Sequence, residues 1–271
     1  ESGGQSSLLI EDRYYVQSRF SPSLYQFDLN GIILDSLNID SFSLGISSSY
    51  LPRMKSLGLS IYYAGTFAVL SPLNVMLYAA KAINIDSIAW KTTVDASPYD
   101  ERVREAVVDQ SGNLFITALC NTNSTSDQFI FTCGFESQTG DTIWTIKKHS
   151  SLGFPAYSSD IDVDNAGHVY VAGSIVNPNT NRAEAILIQY DAVTGQEKWS
   201  VTMDSSYFYF LDFVKISIDT ITKDIYFAYS TLPVSGFSST SIAKIDSSGN
   251  VIWRGLFPLV GSAESFVYDQ N

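Results

Sequence analysis

The chain has 271 residues, 45% of them hydrophobic and 13% aromatic, which is enough apolar material for a sizeable core and favours strands. Its 16 Lys and Arg stand against 28 Asp and Glu, a net charge of −12 that repels phosphate backbones and anionic membrane surfaces and argues against nucleic acid as a partner. No apolar run approaches the roughly 18 to 20 residues that cross a bilayer, so no transmembrane segment is expected.

The first repeat unit, about 7–40, holds short strand-like runs at 8–11, 14–18, 24–30 and 32–34, punctuated by Pro22 and Gly31. The second, about 50–95, carries Tyr62-Tyr63-Ala64-Gly65-Thr66, echoed 108 residues later by Tyr170-Val171-Ala172-Gly173-Ser174. Units three, four and five, about 103–148, 158–203 and 213–257, each open on an alternating strand that ends in aspartate: Asp109, Asp164 or Asp219. Their third strands run into Glu136-Ser-Gln-Thr139-Gly140, Asp191-Ala-Val-Thr194-Gly195 and Asp246-Ser-Ser-Gly249, hairpin turns in which the acid bonds nearby backbone and glycine takes positive φ. Four residues past each of these glycines stands a tryptophan. The chain's only four, Trp90, Trp144, Trp199 and Trp253, are spaced by 54, 55 and 54 residues, which marks them as structural and predicts that each ring packs against the neighbouring unit. In the first unit Asp35 takes that place.

Four short strands per unit, repeated without helical periodicity, predict an all-β fold: a β-propeller of four-stranded blades filling residues 1–271 as one domain. Residues 263–271 read as a closing first strand, with Phe266, Tyr268 and Asp269 in the places of Ile216, Ile218 and Asp219. Five blades are expected; six or more, with the chain a fragment, is the alternative. A β-solenoid or sandwich is the rival architecture, disfavoured by the long period and by a tryptophan in every unit but the first.

These residues resemble the quinoprotein-like propellers, whose blades dock through Asp-x-x-Thr-Gly-x-x-x-Trp, matched by Asp191 to Trp199 and, with Glu for Asp, by Glu136 to Trp144. Asp164-Asn-Ala-Gly167-His-Val-Tyr170 and Asp109-Gln-Ser-Gly112-Asn-Leu-Phe115 are similar to the propeller repeats of bacterial and archaeal surface proteins. The resemblance implies blade structure but no particular activity, since such repeats serve enzymes, scaffolds and adhesins. Quinone cofactors accompany an adjacent cysteine pair in several enzymes of that group; Cys120 and Cys133 are not adjacent, and no cofactor is expected.

Several side chains are candidates for chemistry. Asp160, Asp162 and Asp164, with Glu105, Asp109, Asp219 and Glu264, could ring an acidic channel suited to Ca2+, or could be a solvated face with turn-capping acids. Asp160, Asp162 and Glu105 are the first candidates for a glycosidase-like pair. Arg102 and Arg104 beside Glu101 and Glu105 read as a mixed solvated face. The only histidines, His149 and His168, lie at strand ends or turns, where a Ser-His-Asp site is not expected. Tyr207, Phe208, Tyr209 and Phe210 could bind a sugar or protein, or bury against the next blade. Cys120 and Cys133 flank a polar segment and are expected to form a disulfide, with two free thiols as the alternative. Asn123 opens a glycosylation sequon within that segment.

Charged residues are only 16%, against a typical share of about 25%, with Ser, Thr, Asn and Tyr supplying polarity, as in extracellular or cell-surface proteins. The chain begins at Glu1, which suits a processed secreted protein or an excised piece. The expected role is a non-catalytic binding or structural module of an extracellular assembly, with a protein, a glycan or further copies of itself as partner. A channel-centred hydrolase or cation-dependent enzyme is the alternative.

Overall fold

The structure, a computed structural model, describes residues 7–17, 23–38, 53–70, 73–83, 85, 87–122, 128–150, 154–207, 214–219, 221–231 and 239–257. The closing strand expected at 263–271, with Glu264, lies outside them. Among the described residues every regular element is a strand. Blade 1 is β1 (Ser7–Ile10), β2 (Arg13–Gln17), β3 (Ser23–Phe27) and β4 (Ile33–Asn38). Blade 2 is β5 (Arg53–Leu57), β6 (Ser60–Leu70), β7 (Leu73–Ile83) and β8 (Ser87–Val94). Blade 3 is β9 (Glu101–Val108), β10 (Leu114–Asn121), β11 (Gln128–Phe135) and β12 (Thr142–Lys148). Blade 4 is β13 (Ala156–Val163), β14 (His168–Asn177), β15 (Arg182–Asp191) and β16 (Glu197–Tyr207). Blade 5 is β17 (Val214–Ile218), β18 (Ile225–Thr231), β19 (Ser239–Ile245) and β20 (Val251–Phe257).

Each blade is an antiparallel meander in which sequence neighbours pair. The first strands stand side by side, β1 against β5, β5 against β9, β9 against β13 and β13 against β17. The sheets therefore radiate from an axis lined by first strands, and the chain is a five-bladed β-propeller. Two-sided burial explains the nearly continuous apolar runs of the middle strands, such as Leu114 to Cys120 and Phe129 to Phe135. Their side chains form a separate cluster at each of four seams between consecutive blades.

The turns explain where the seams come from. Asp191 Oδ1 accepts the Val193 and Thr194 N–H groups and the Thr194 hydroxyl, and Glu136 Oε2 does the same for Gln138 and Thr139. This bonding holds the turn so that the carbonyl after the acid and the bare face of glycine both point at the previous blade. There, Trp90, Trp144 and Trp199 donate their Nε1–H to the carbonyls of Ser137, Ala192 and Ser247. A Cβ added at Gly140, Gly195 or Gly249 would lie 2.6, 2.9 or 2.8 Å from the corresponding indole. Each ring also meets an aromatic of its own blade, Tyr62, Phe115 or Tyr170.

The first seam is built differently. Asp35 occupies the tryptophan position, pairing with Gln26 as Trp253 pairs with Lys244. The facing turn of blade 2 carries no glycine; Ile85 is buried there, in one cluster with Tyr15, Leu24, Met54 and Ile61.

The disulfide expected between Cys120 and Cys133 is absent, and both are buried free thiols. In the β10–β11 register Cys120 faces Phe129 while Cys133 faces Ile116. The two sulfurs share one sheet face but sit four residues apart along the strands, on the order of 13 Å, well beyond the span of a disulfide. Burial also raises both thiol pKa values well above the ordinary cysteine value.

The seam geometry separates two glycines with the same backbone. Gly195 and Gly167 both have positive φ, 71° and 84°, but only Gly195 touches an indole; nothing lies within 4 Å of a Cβ at Gly167. Gly167→Ala is expected to lower unfolding stability by about 1 kcal/mol through backbone strain. Gly195→Ala is expected to lose about 1–3 kcal/mol beyond that, because the methyl displaces Trp144. Denaturant titration of the two variants checks the difference.

Candidate functional site

The channel-facing elements carry the acids that the sequence offers for chemistry. A first strand is an edge strand, with one row of N–H groups lacking a sheet partner. On β17 that row includes Ile216 and Ile218. Asp160 on β13 accepts the Ile216 N–H at 3.0 Å, and Asp162 accepts that of Ile218. The two-residue spacing of Asp160 and Asp162 is the spacing of same-facing groups along a strand, so one blade's acids cap the exposed edge of the next. Lys215 Nζ sits 3.3 Å from Asp160. Glu105 on β9 is paired in the same way with Lys55 at 3.3 Å and Arg53 at 3.7 Å on β5.

Asp164 does not join them. It lies past the end of β13, where Oδ1 accepts the Ala166 and His168 N–H groups, and Oδ2 takes the His168 ring at 2.9 Å and the Tyr170 hydroxyl at 3.0 Å. Asp109 and Asp219 cap their own turns likewise. The metal set Asp160, Asp162 and Asp164 therefore does not converge, and among the described residues no group of three or more His, Cys, Asp or Glu is placed to hold an ion.

Burial raises the pKa of Asp160, against the opposing pull of Lys215. It pushes Asp162 up to about 6, helped by the charge on Asp160 and opposed by its backbone bonds and Lys55.

Glu101 overturns the solvated face expected around it, being fully buried. Its carboxyl accepts N–H groups from Leu77, Ala96 and Ser97, tying blade 3 to blade 2. Burial outweighs these donors and holds it at about 7. A bulge explains the misreading: Glu105 faces Thr117 and Val103 faces Ala118, leaving Arg104 unmatched, so Glu101 and Glu105 emerge on opposite faces. Of the histidines, His149 rests on Phe129 with ring centroids 4.9 Å apart, and His168 is held by Asp164. Asn123 and Phe208 to Phe210 lie outside the described residues; Tyr207 ends β16.

Blade 1 adds two hollows that the strand pattern does not announce. Where Asp35 replaces a tryptophan, a hollow of about 380 Å³ opens at the seam with blade 2, walled by Glu11, Asp12, Arg13, Gln26, Asp35 and Ile85. A second, of about 440 Å³, is walled by Ser7, Tyr14, Val16, Phe27, Asp28, Leu29 and Gly31. The signal for the first is legible in hindsight: one unit lacks the ring that fills this place in the others.

No protein-family model matches the sequence, and no curated protein matches it. Solved structures are similar to this chain at low identity. BamB from Moraxella catarrhalis is 12% identical with a TM-score of 0.43, the match covering 93% of this chain and 75% of BamB. The β-propeller domain of the Trilobed protease from Pyrococcus furiosus is 10% identical with a TM-score of 0.46, covering 77% of this chain and 58% of that one. The Synechocystis apocarotenoid oxygenase, as its Glu150Gln mutant, is 10% identical with a TM-score of 0.52, covering 93% and 59%. The chain thus spans under two thirds of the latter two. Among the described residues no helix is long and apolar enough to cross a membrane.

The raised value for Asp162 has a definite sign. The native state holds this proton more tightly than the unfolded chain does. The resulting stabilisation is complete below the ordinary value of 3.8 and is lost as pH rises through about 6. Asp162→Asn removes the charge and keeps an acceptor for Ile218. Its thermal midpoint is expected to exceed that of the parent at pH 8, with the gap closing by pH 4.

Proposed function

We propose that this chain is a secreted or cell-surface module that binds a protein or glycan, or builds an extracellular structure, without catalysing a reaction and without a cofactor. The observation that supports this most directly is the occupation of the channel acids. Asp160 caps a strand edge and pairs with Lys215, and Glu105 pairs with Arg53 and Lys55. Groups committed to blade-to-blade contacts are poorly placed to trade protons with a substrate or to gather around a hard cation. The seam hollow beside Asp35 suits a polyhydroxylated ligand better. Its wall offers carboxylate, amide and guanidinium groups in Glu11, Asp12, Gln26, Asp35 and Arg13.

One observation favours the rival reading, a channel-centred glycosidase-like hydrolase or cation-dependent enzyme. Asp162 is held at about 6, where a carboxyl can serve as acid or base near neutral pH.

Glycan-array binding by the purified chain distinguishes the two. A module should retain a defined set of glycans, lose them by tenfold or more when Asp35→Phe fills the hollow, and keep them in Asp160→Asn and Asp162→Asn. Turnover of a bound glycan that disappears in either channel variant would establish the enzyme instead. Intact mass and metal analysis of protein from its native source should show a glycan at Asn123, two unpaired thiols and no stoichiometric metal.

A further inference from the structure

Blade 1 contains a docking socket of the kind that receives tryptophan elsewhere, and among the described residues nothing occupies it. The turn Asp28-Leu29-Asn30-Gly31-Ile32 is closed by the same bonds as Asp246-Ser247-Ser248-Gly249-Asn250. In both, the aspartate N–H donates to the fifth residue's carbonyl and the glycine N–H donates to the aspartate carbonyl. In both, the aspartate Oδ1 accepts the N–H groups of the third and fifth residues. In blade 5 this platform offers the Ser247 carbonyl and the face of Gly249 to Trp199. The matching positions in blade 1 are the Leu29 carbonyl and Gly31. A Cβ built at Gly31 meets nothing within 4 Å among the described residues. The hollow of about 440 Å³ walled by Tyr14, Val16, Phe27 and Leu29 lies at this spot.

Blade 5 carries the complement. Trp253 occupies the same place on β20 as the three docked rings on theirs, and it meets Tyr226 of its own blade at 6.4 Å. It remains 42% exposed, whereas Trp90 and Trp144 are 7% and 9% exposed. Phe257, on the same face of β20, is 44% exposed. Around the socket, blade 1 exposes Leu29, Ile32 and Ile33. Soluble monomers rarely leave two such apolar faces open.

We propose that Trp253 of one copy enters the blade 1 socket of a second copy, its Nε1–H donating to the Leu29 carbonyl and its ring lying on Gly31. The chain's own blade 1 does not take the ring in this structure, and one chain bears both halves of the contact. Copies therefore join head to tail through a heterologous seam built like those inside the propeller. This deepens the reading of the chain as a structural module and rests on that reading only for where the association is used.

Sedimentation velocity on the purified chain tests the proposal without any ligand, so its outcome is separate from that of the glycan array. The wild type should associate with rising concentration. Trp253→Ala keeps the socket and loses the ring; Gly31→Asn keeps the ring and fills the socket, with asparagine tolerating positive φ. Each variant alone should be monomeric, and an equimolar mixture should double in mass, because one working seam is restored. Leu29→Asp, at an exposed side chain, serves as a second socket variant should Gly31→Asn fail to fold. A wild type that stays monomeric overturns the proposal: if Trp253 is shielded from acrylamide, its own chain fills the socket; if it is quenched, no seam forms. Undiminished association of Trp253→Ala, or a mixture that stays monomeric, also overturns it.

Discussion

An indole on an outer strand has two requirements, a carbonyl for its N–H and a flat apolar surface for its face, and here the next blade supplies both from a single turn. Because Ser137, Ala192 and Ser247 lie one residue after the acid that organises the turn, the hydrogen bond fixes how far one sheet sits from the next. Glycine sets the angle, since any side chain at Gly140, Gly195 or Gly249 would force the ring away. The rim of the propeller is therefore held by a polar bond at the edge of an apolar contact; at Trp90 and Trp144, where that bond is buried, exchange with water is restricted and the bond is correspondingly strong.

At the axis the same problem of joining sheets is solved with charge. First strands cannot pair with one another as a continuous ladder, so each leaves donors that something must satisfy. Asp160 and Asp162 do this for blade 5, and Thr66 does it for the Val103 N–H of blade 3. Glu101 works farther out, where one N–H group from blade 2 and two from the connection that follows it converge on one carboxyl. Rim and axis thus divide the labour, with aromatic rings spacing the blades and carboxyls sealing their inner edges.

Most of the fold was legible because its determinants repeat. The tryptophan spacing, the acid-to-glycine turns and the alternation of first strands each state one local rule several times, and their agreement leaves little choice of architecture. What escaped depends on which residues face each other across a seam or a register. Asp160 and Asp162 look like a cation motif until Ile216 and Ile218 stand opposite them. Glu101 looks solvated until a single unmatched residue, Arg104, turns it inward. Cys120 and Cys133 look opposed until the hairpin pairs Asn121 with Gln128 and leaves the cysteines staggered. Hollows are harder still to foresee, because the one beside Asp35 is created by the absence of a ring.

The first seam has a bearing on how a chain of near-identical units finds its order. In a repetitive propeller any outer strand could in principle settle against any turn, and such exchanges would trap folding in shuffled arrangements. Here the ring and the glycine are lost together on the two sides of one boundary. A tryptophan from another blade that approached the blade 2 turn would find the buried Ile85 and no glycine face, and Asp35 set against a glycine turn would offer no indole to cover it. Blade 2 thus accepts blade 1 alone, and this one irregular boundary gives the otherwise interchangeable units a fixed starting point.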